Sequence, residues 1–383
     1  MHPANEYDTR VKLDRILAAT EGVITPVAVI DDDVVERNLA RMAKLASDHN
    51  VRLRPHAKTH KSGEMARRQM AHGAIGLTCA TMTEAEVFAA AGVNDLLIAH
   101  PPVGQAKLDR LSGIAERVGR LAVSLDDVGI ASGLPKAVDV LWEVDPGQHR
   151  IGSPPGAPTA RAVKHLVEVI GTERFRGLIT HAGHAYAATN LEERQRAADQ
   201  ESGSLLATAR LLREEGVEVR ELSVGSTPTA GLALTRGGGI TEMRPGTYIY
   251  GDANQVALGS QRLEDCALAV IATVVSTPSR ERAVVDAGSK ALSADLRVAG
   301  LKGYGIVIGR EDLTVERLSE EHAVLTATDA TRLAIGERIV IVPSHACTVV
   351  NLHPAILLTS GTKPPRWLPT DARGWSSPER ISP

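Results

Sequence analysis

Long apolar runs are absent from this 383-residue chain, and none approaches the roughly 20 residues that span a bilayer. The start, Met1-His2-Pro3-Ala4-Asn5-Glu6-Tyr7-Asp8, has no basic segment ahead of an apolar one, so no secretory signal is expected. Cysteine is scarce. Cys79, Cys266 and Cys347 are an odd trio that cannot build a disulfide framework and suits a reducing cytosol. Two phenylalanines, five tyrosines and three tryptophans are too few for stacking platforms that grip single-stranded nucleic acid. A formal net charge of -3 gives no reason to expect nucleic acid or an acidic membrane surface as partner. These absences leave a soluble cytoplasmic enzyme, long enough to bury a large core and to hold two domains.

One stretch stands out: Val51-Arg52-Leu53-Arg54-Pro55-His56-Ala57-Lys58-Thr59-His60-Lys61-Ser62. It opens as an alternating apolar run, is stopped by proline, and then carries two lysines and two histidines within six residues. A strand ending in a turn can hold one lysine at the mouth of a pocket. Partial burial and nearby cations there lower the amine's pKa and make it a nucleophile and base. A solvated basic loop is the other reading of the same cluster.

Thr25 to Ile30 reads as a strand, followed by N-cap candidates at Asp31 to Asp33 and a helix carrying Val34, Val35, Leu39, Met42 and Leu45. After a strand ending near Arg54 comes a helix stopped by Gly73. Strands then recur over 74–79, 95–99, 121–125, 138–144, 176–180, 221–224 and 247–250, with helices between them. Thr83 and Glu86 read as a capping box. Eight short strands counted from Arg54 give an eight-stranded (β/α)8 barrel, with a doubly wound open sheet as the alternative. No Gly-x-Gly-x-x-Gly follows the first strand, which weighs against a dinucleotide fold. Beyond about Gly251, β-branched runs with short turns mark a second, mostly β domain. The expected layout is a barrel over 31–252, a β-rich domain of 1–30 plus 253–360, and a loosely packed extension over 361–383.

In such a barrel the chemistry sits at the carboxyl ends of the strands. Lys58 follows the first strand, Asp145 to Arg150 the fifth, Thr180 to Tyr186 the sixth and Gly225 to Thr229 the seventh, while Arg244 to Thr247 leads into the eighth. Gly225-Ser226-Thr227 and Gly246-Thr247 are small and rich in donors, as a phosphate cradle requires, although two ordinary turns read the same way. A phosphate cradle together with a nucleophilic lysine points to pyridoxal phosphate. A second cluster, His345-Ala346-Cys347, follows a strand. Side chains there repeat every two residues, so imidazole and thiolate would share one side and grip a zinc ion with its shell left open. A buried cysteine beside a satisfied histidine is the plainer alternative.

From about Thr25 to about His353 the chain resembles fold-type III pyridoxal phosphate enzymes of the D-threonine aldolase / D-serine dehydratase family, built like alanine racemase. Arg54 to Lys61 is the most specific marker, and the first lysine of that motif carries the family's cofactor, which selects Lys58 over Lys61. The resemblance implies Arg150 near the cofactor's phenolic oxygen, His181 packed against its ring, and Tyr186 in contact with it. It further implies Ser226, Thr227, Gly246 and Thr247 around the phosphate. Arg244 corresponds to an arginine at the ring nitrogen, a feature from which the dehydratase branch departs. His345 and Cys347 correspond to the metal pair. Aldolases of the family carry His-x-Asp here and the dehydratases His-x-Cys, and a thiolate favours Zn²⁺ over Mn²⁺ or Mg²⁺. Gly225-Ser226-Thr227-Pro228-Thr229 also looks more like the dehydratases.

The resemblance therefore implies a lyase that removes water from a D-3-hydroxy amino acid such as D-serine, D-threonine or 3-hydroxy-D-aspartate. Lys58 would take the α-proton, with the β-hydroxyl polarised by metal on His345 and Cys347. Retro-aldol cleavage to glycine and an aldehyde is the alternative outcome. A racemase is disfavoured because Val284 to Arg297 contains no tyrosine to act as second base. A non-catalytic cofactor-binding protein is disfavoured because such proteins resemble the barrel alone. Family members are commonly dimers, so a homodimer acting on a small molecule is implied.

Overall fold

Two hydrogen-bonded sheets sort the strands of this chain. The computed structural model describes residues 4–235, 238–295 and 297–374. They fall into one unit built from residues 40–58 and 63–246, and another built from residues up to 39, 59–62 and 247–374.

The first unit holds eight parallel strands. Their order is Arg52–Leu53, Glu242–Met243, Glu221–Val224, Phe175–Ile179, Val138–Glu143, Arg120–Leu125, Asp95–Ile98 and Leu77–Cys79. A parallel bridge between His56 and Thr78, with Thr78 N donating to Pro55 O at 2.8 Å, joins the last strand to the first. The sheet thus closes into the α/β barrel that the alternation of strands and helices requires. Leu191–Glu214, the longest of its helices, buries Ala197, Ala198, Leu205, Ala209 and Leu212 at helical spacing.

Leu97, Ala122, Leu141 and Ile179 form an apolar cluster on the middle of the strands. Charged residues gather instead around Arg54, just past the first strand, and the starts of the Asp95, Arg120, Glu221 and Glu242 strands. Arg54 donates to Glu242 (2.9 Å) and Asp95 (2.6 Å), and Arg120 and Arg176 converge on Glu221 at 2.7 and 3.0 Å. Each buried charge there has an opposite partner, the condition under which a core tolerates ions.

Two local expectations need correction. Thr247 to Tyr250 is not the eighth strand: Thr247–Ile249 is a 3-10 turn, with Tyr250 N and Gly251 N both donating to Thr247 O. The eighth strand is Glu242–Met243, which its acidic residue and two-residue length concealed. Arg244 and Gly246 consequently follow a strand, at the carboxyl end, rather than leading into one. The capping box lies two residues earlier than expected. Thr81 Oγ1 accepts from Glu84 N (3.2 Å), and Glu84 Oε2 accepts from Ala80 N (2.6 Å). Thr83 and Glu86 instead both accept from Arg110 of the Gln105–Ala115 helix.

The second unit is organised around Leu268–Ser279, a twelve-residue strand. It pairs antiparallel with Val27–Asp31, Arg282–Val285 and Arg338–Pro343. Val27–Asp31 also pairs, in parallel, with Ala355–Thr359. Val27, Val29, Ala269, Ile271, Val340, Val342 and Leu357 share a core with Ile16 of the Ala4–Ala19 helix. The stretch behind Gly361, expected to pack loosely, adds the edge strand Arg366–Pro369. Further on, Ala372 N donates to Lys61 O at 3.0 Å and Gly374 N to Asn351 Oδ1 at 2.9 Å. Among the described residues no helix is long and apolar enough to cross a membrane.

Candidate active site

The chain presents two polar centres, one in each unit. In the barrel unit, Lys58 lies half-buried in the Ala57–Thr59 turn after the first strand, and its backbone N–H donates to His56 Nδ1 at 3.4 Å. Burial first, and then the positive charges of Lys58, Arg150 and Arg244, hold the His56 and His181 imidazoles well below the usual histidine range. Both rings are therefore neutral at neutral pH and face a set of cations, an arrangement that attracts an anion.

His181 follows the Phe175–Ile179 strand, and Tyr186 sits half-exposed in the Gly183–Ala187 turn behind it. Arg150 is exposed at the end of a turn knotted by Asp145, whose Oδ1 accepts from Gly147 N, Gln148 N and His149 N. Arg244 is buried. Its Nη1 donates to Ser223 Oγ at 2.6 Å and its Nη2 to Thr180 O, so two of its N–H groups tie strand ends together.

Ser226 carries the clearest sign of an anion-binding turn. It has φ 114, a value that non-glycine residues rarely adopt, and its buried Oγ has no hydrogen-bond partner. A strained residue with an orphaned donor, next to buried Thr227, fits a phosphate. Gly246 and Thr247 are buried as well.

The second centre gathers on His345 and Cys347. The alternating-strand argument for this pair fails, since His345 caps the Ala346–Leu352 helix and Cys347 is already helical. The side chains meet nonetheless, because an extended cap residue turns back over the first helical turn. His345 Nδ1 lies 2.6 Å from Asp295 Oδ2, and its ring also hydrogen-bonds Cys347. Burial alone would lower the imidazole pKa, but Cys347, Asp252 and Asp295 override it and push it up to about 10. Cys347 Sγ stands 3.1 Å from Thr59 Oγ1 and 3.9 Å from Thr247 Oγ1. Asp252 fixes this helix start by accepting from Ala346 N at 3.0 Å.

No group of three or more metal-ligating side chains converges among the described residues. An imidazole oriented by a carboxylate and paired with one thiol is the donor set of an open metal site, with outer positions left for water or substrate.

Several residues of these centres went unread in the sequence. Glu143 is shut in beside Arg244 and Arg150, and burial pushes its carboxyl up to about 7. Asp252 and Asp295 brace the His345–Cys347 pair, and Thr59 touches its thiol. Glu201 lies on the buried stripe of its helix, among Ala197, Ala198 and Leu205. An acid at a core position is the signal that would have exposed it.

The family described as "Alanine racemase, N-terminal domain" matches residues 30–254, and the one described as "Putative serine dehydratase domain" matches residues 267–359. The chain is 36% identical over 355 residues to a D-threo-3-hydroxyaspartate dehydratase of Delftia sp. (strain HT23), covering 86% of this chain and 93% of that protein. It is 33% identical over 366 residues to a D-threonine aldolase of Arthrobacter sp., covering 92% and 94% respectively. A solved cysteine-to-alanine variant of D-threo-3-hydroxyaspartate dehydratase, in its metal-free form, superposes with a TM-score of 0.84 at 33% identity. That match covers 92% of this chain and 99% of the other. A parallel barrel and a mostly antiparallel sheet in one chain define the alanine racemase-like class, the fold-type III pyridoxal phosphate enzymes. Within that class the chain belongs to the D-threonine aldolase / D-serine dehydratase family.

Proposed function

We propose that the chain is a pyridoxal phosphate- and metal-dependent lyase that β-eliminates water from a D-3-hydroxy amino acid, giving a 2-oxo acid and ammonia. The observation that carries this reading is the cysteine at position 347, in side-chain contact with His345, whose other side meets Asp295. A thiolate there selects a soft ion such as zinc, and zinc supplies the Lewis acidity that makes hydroxide a tolerable leaving group.

Lys58 would hold the cofactor covalently and then act as base toward the substrate's α-proton. Pyridoxal phosphate supplies an electron sink for the carbanion that this proton transfer creates. Ser226, Thr227, Gly246 and Thr247 would bind its phosphate, Arg150 its phenolic oxygen and His181 the face of its ring. Tyr186 would add a contact, and Arg244 would stand toward the ring nitrogen. His181, kept neutral by burial and its cationic neighbours, can pack on the ring without adding charge. His345 and Cys347 would hold the metal, with Asp295 orienting the imidazole from behind.

The aldolase outcome is the second reading, favoured by the similarity to the Arthrobacter D-threonine aldolase over nearly the whole chain. Incubation of purified protein with D-threonine, cofactor and Zn²⁺ separates the two. 2-Oxobutyrate and ammonia are expected, and glycine with acetaldehyde would replace dehydration by retro-aldol cleavage. A panel of D- and L-serine, threonine and 3-hydroxyaspartate, with a chelator as control, then fixes substrate and stereochemistry. A homodimer and a cytoplasmic setting complete the proposal. They are supported by the family resemblance and by three cysteines that form no disulfide.

A further inference from the structure

Glu201 is fully buried and plays no part in the chemistry above. Its carboxylate reaches two turns that leave the barrel from neighbouring strands. Oε1 accepts from Ala182 N at 3.1 Å and from Gly225 N at 2.9 Å, and Oε2 accepts from Thr229 Oγ1 at 2.9 Å. Ala182 follows His181, Gly225 precedes Ser226, and Thr229 closes the same turn. Ala182 N also points at Gly225 O, 3.4 Å away, so the two turns are stitched to each other as well as to the carboxylate.

The spacing between these turns is tight. A Cβ on Gly225 would come within 2.7 Å of Arg244 Nη2 and 3.3 Å of His181 Nδ1. A small outward shift of either turn would therefore separate the imidazole from the Ser226 loop. Glu201, offered from the outer helix Leu191–Glu214, bonds both turns at once.

We propose that Glu201 is a positioning residue for the cofactor pocket: it sets the distance between the His181 turn and the Ser226–Thr227 turn at which ring and phosphate are seated together. The inference rests on the proposed function, since it takes pyridoxal phosphate as the occupant. A carboxylate is not required as such. Burial pushes this group up to about 7, so a neutral side chain of the same shape is already populated near neutral pH. Glutamine can reproduce all three contacts, accepting from the two backbone N–H groups and donating to the threonine hydroxyl.

The test measures binding of pyridoxal phosphate, and of pyridoxal without its phosphate, to apoprotein by absorbance titration. It compares wild type, Glu201→Gln, Glu201→Ala and Glu201→Asp. Glu201→Gln is expected to bind within about threefold of wild type, whereas Glu201→Ala weakens pyridoxal phosphate by about tenfold or more, the equivalent of one charge-assisted hydrogen bond. The preference for the phosphorylated over the unphosphorylated vitamer is expected to shrink in the same variant. If Glu201→Ala does not fold, Glu201→Asp carries the test, because it keeps the carboxylate but is one methylene too short to hold both turns at the same spacing. Wild-type affinity and spectrum in Glu201→Ala, or in Glu201→Asp in its place, would overturn the inference. So would a glutamine variant as impaired as alanine. Wild-type protein that binds neither vitamer overturns the functional reading itself, a result distinct from any of these.

Discussion

Arg54 donates through Nε to Glu242 Oε2 at 2.9 Å, and neither side chain is more than 2% exposed. Two buried ions, one just past the Arg52–Leu53 strand and one opening the adjacent Glu242–Met243 strand, depend on each other. Replacing Arg54 by methionine strands the Glu242 charge and is expected to destabilise the fold by about 3–5 kcal/mol. Urea unfolding of Arg54→Met and of Arg54→Met/Glu242→Leu checks this. The double variant should recover most of the loss, and a single variant of unchanged midpoint would show the pair to be inert.

Stability should also respond to pH through buried acids. Burial pushes the carboxyls of Glu143 and Glu201 up to about 7 from an ordinary 4.5. Between those values the folded chain keeps protons that the unfolded chain has released, so their contribution to stability falls as pH rises. His56 and His181 act in the opposite direction. Their folded pKa values lie well below 6.5, so the stability linked to them is lost as pH drops through the unfolded value. Comparing apoprotein with Glu201→Gln isolates one term. Wild-type stability relative to that variant should decline by on the order of 3 kcal/mol between roughly pH 4 and pH 8. A flat difference curve would contradict it.

Lys58 and Lys61 should separate cleanly in a cofactor assay. Lys61 is engaged with Asn351 Oδ1 at 2.9 Å and with Ala372 O at 3.4 Å, a bracing role. Lys58→Ala is expected to lose both the visible absorbance of bound pyridoxal phosphate and turnover, while Lys61→Ala keeps the absorbance. The reverse pattern would move the cofactor's attachment point.

The proposed metal ligands His345 and Cys347 offer a chemical swap. Cys347→Asp replaces a soft donor by a hard one and should shift reactivation of chelated enzyme from Zn²⁺ toward Mn²⁺. Asp295→Asn removes the carboxylate behind His345 and is expected to weaken metal retention about 10- to 100-fold, read by competition with a zinc-binding dye. Unchanged metal preference and retention in these two variants would argue against ligation by His345 and Cys347.

The barrel was legible because its strands are short apolar runs set at helix-long intervals, a pattern that survives without any knowledge of contacts. The eighth strand was not. Thr247 to Tyr250 has strand composition, yet its backbone bonds close locally on Thr247 O. Glu242–Met243 has a poor strand former, and its glutamate is accommodated because Arg54 and Ser223 meet it. The capping box was misplaced for a related reason. Thr81 with Glu84 and Thr83 with Glu86 have identical spacing, and only Arg110 on the next helix distinguishes them. Lys58, His345 and Cys347 stand out in the sequence by residue type and spacing. Their supports do not, since Asp295 lies 50 residues from His345 and Glu201 bridges two turns that only the closed barrel brings together.

Residues 372–374 clasp Lys61 and Asn351, and that clasp has a practical side for anyone handling the gene. An affinity handle fused downstream of Gly374 leaves the anchoring bonds in place. A stop codon introduced ahead of Ala372 deletes them and frees the loop that begins one residue after Lys58. Trimmed expression clones would then be judged defective in chemistry when what they lack is a fastening.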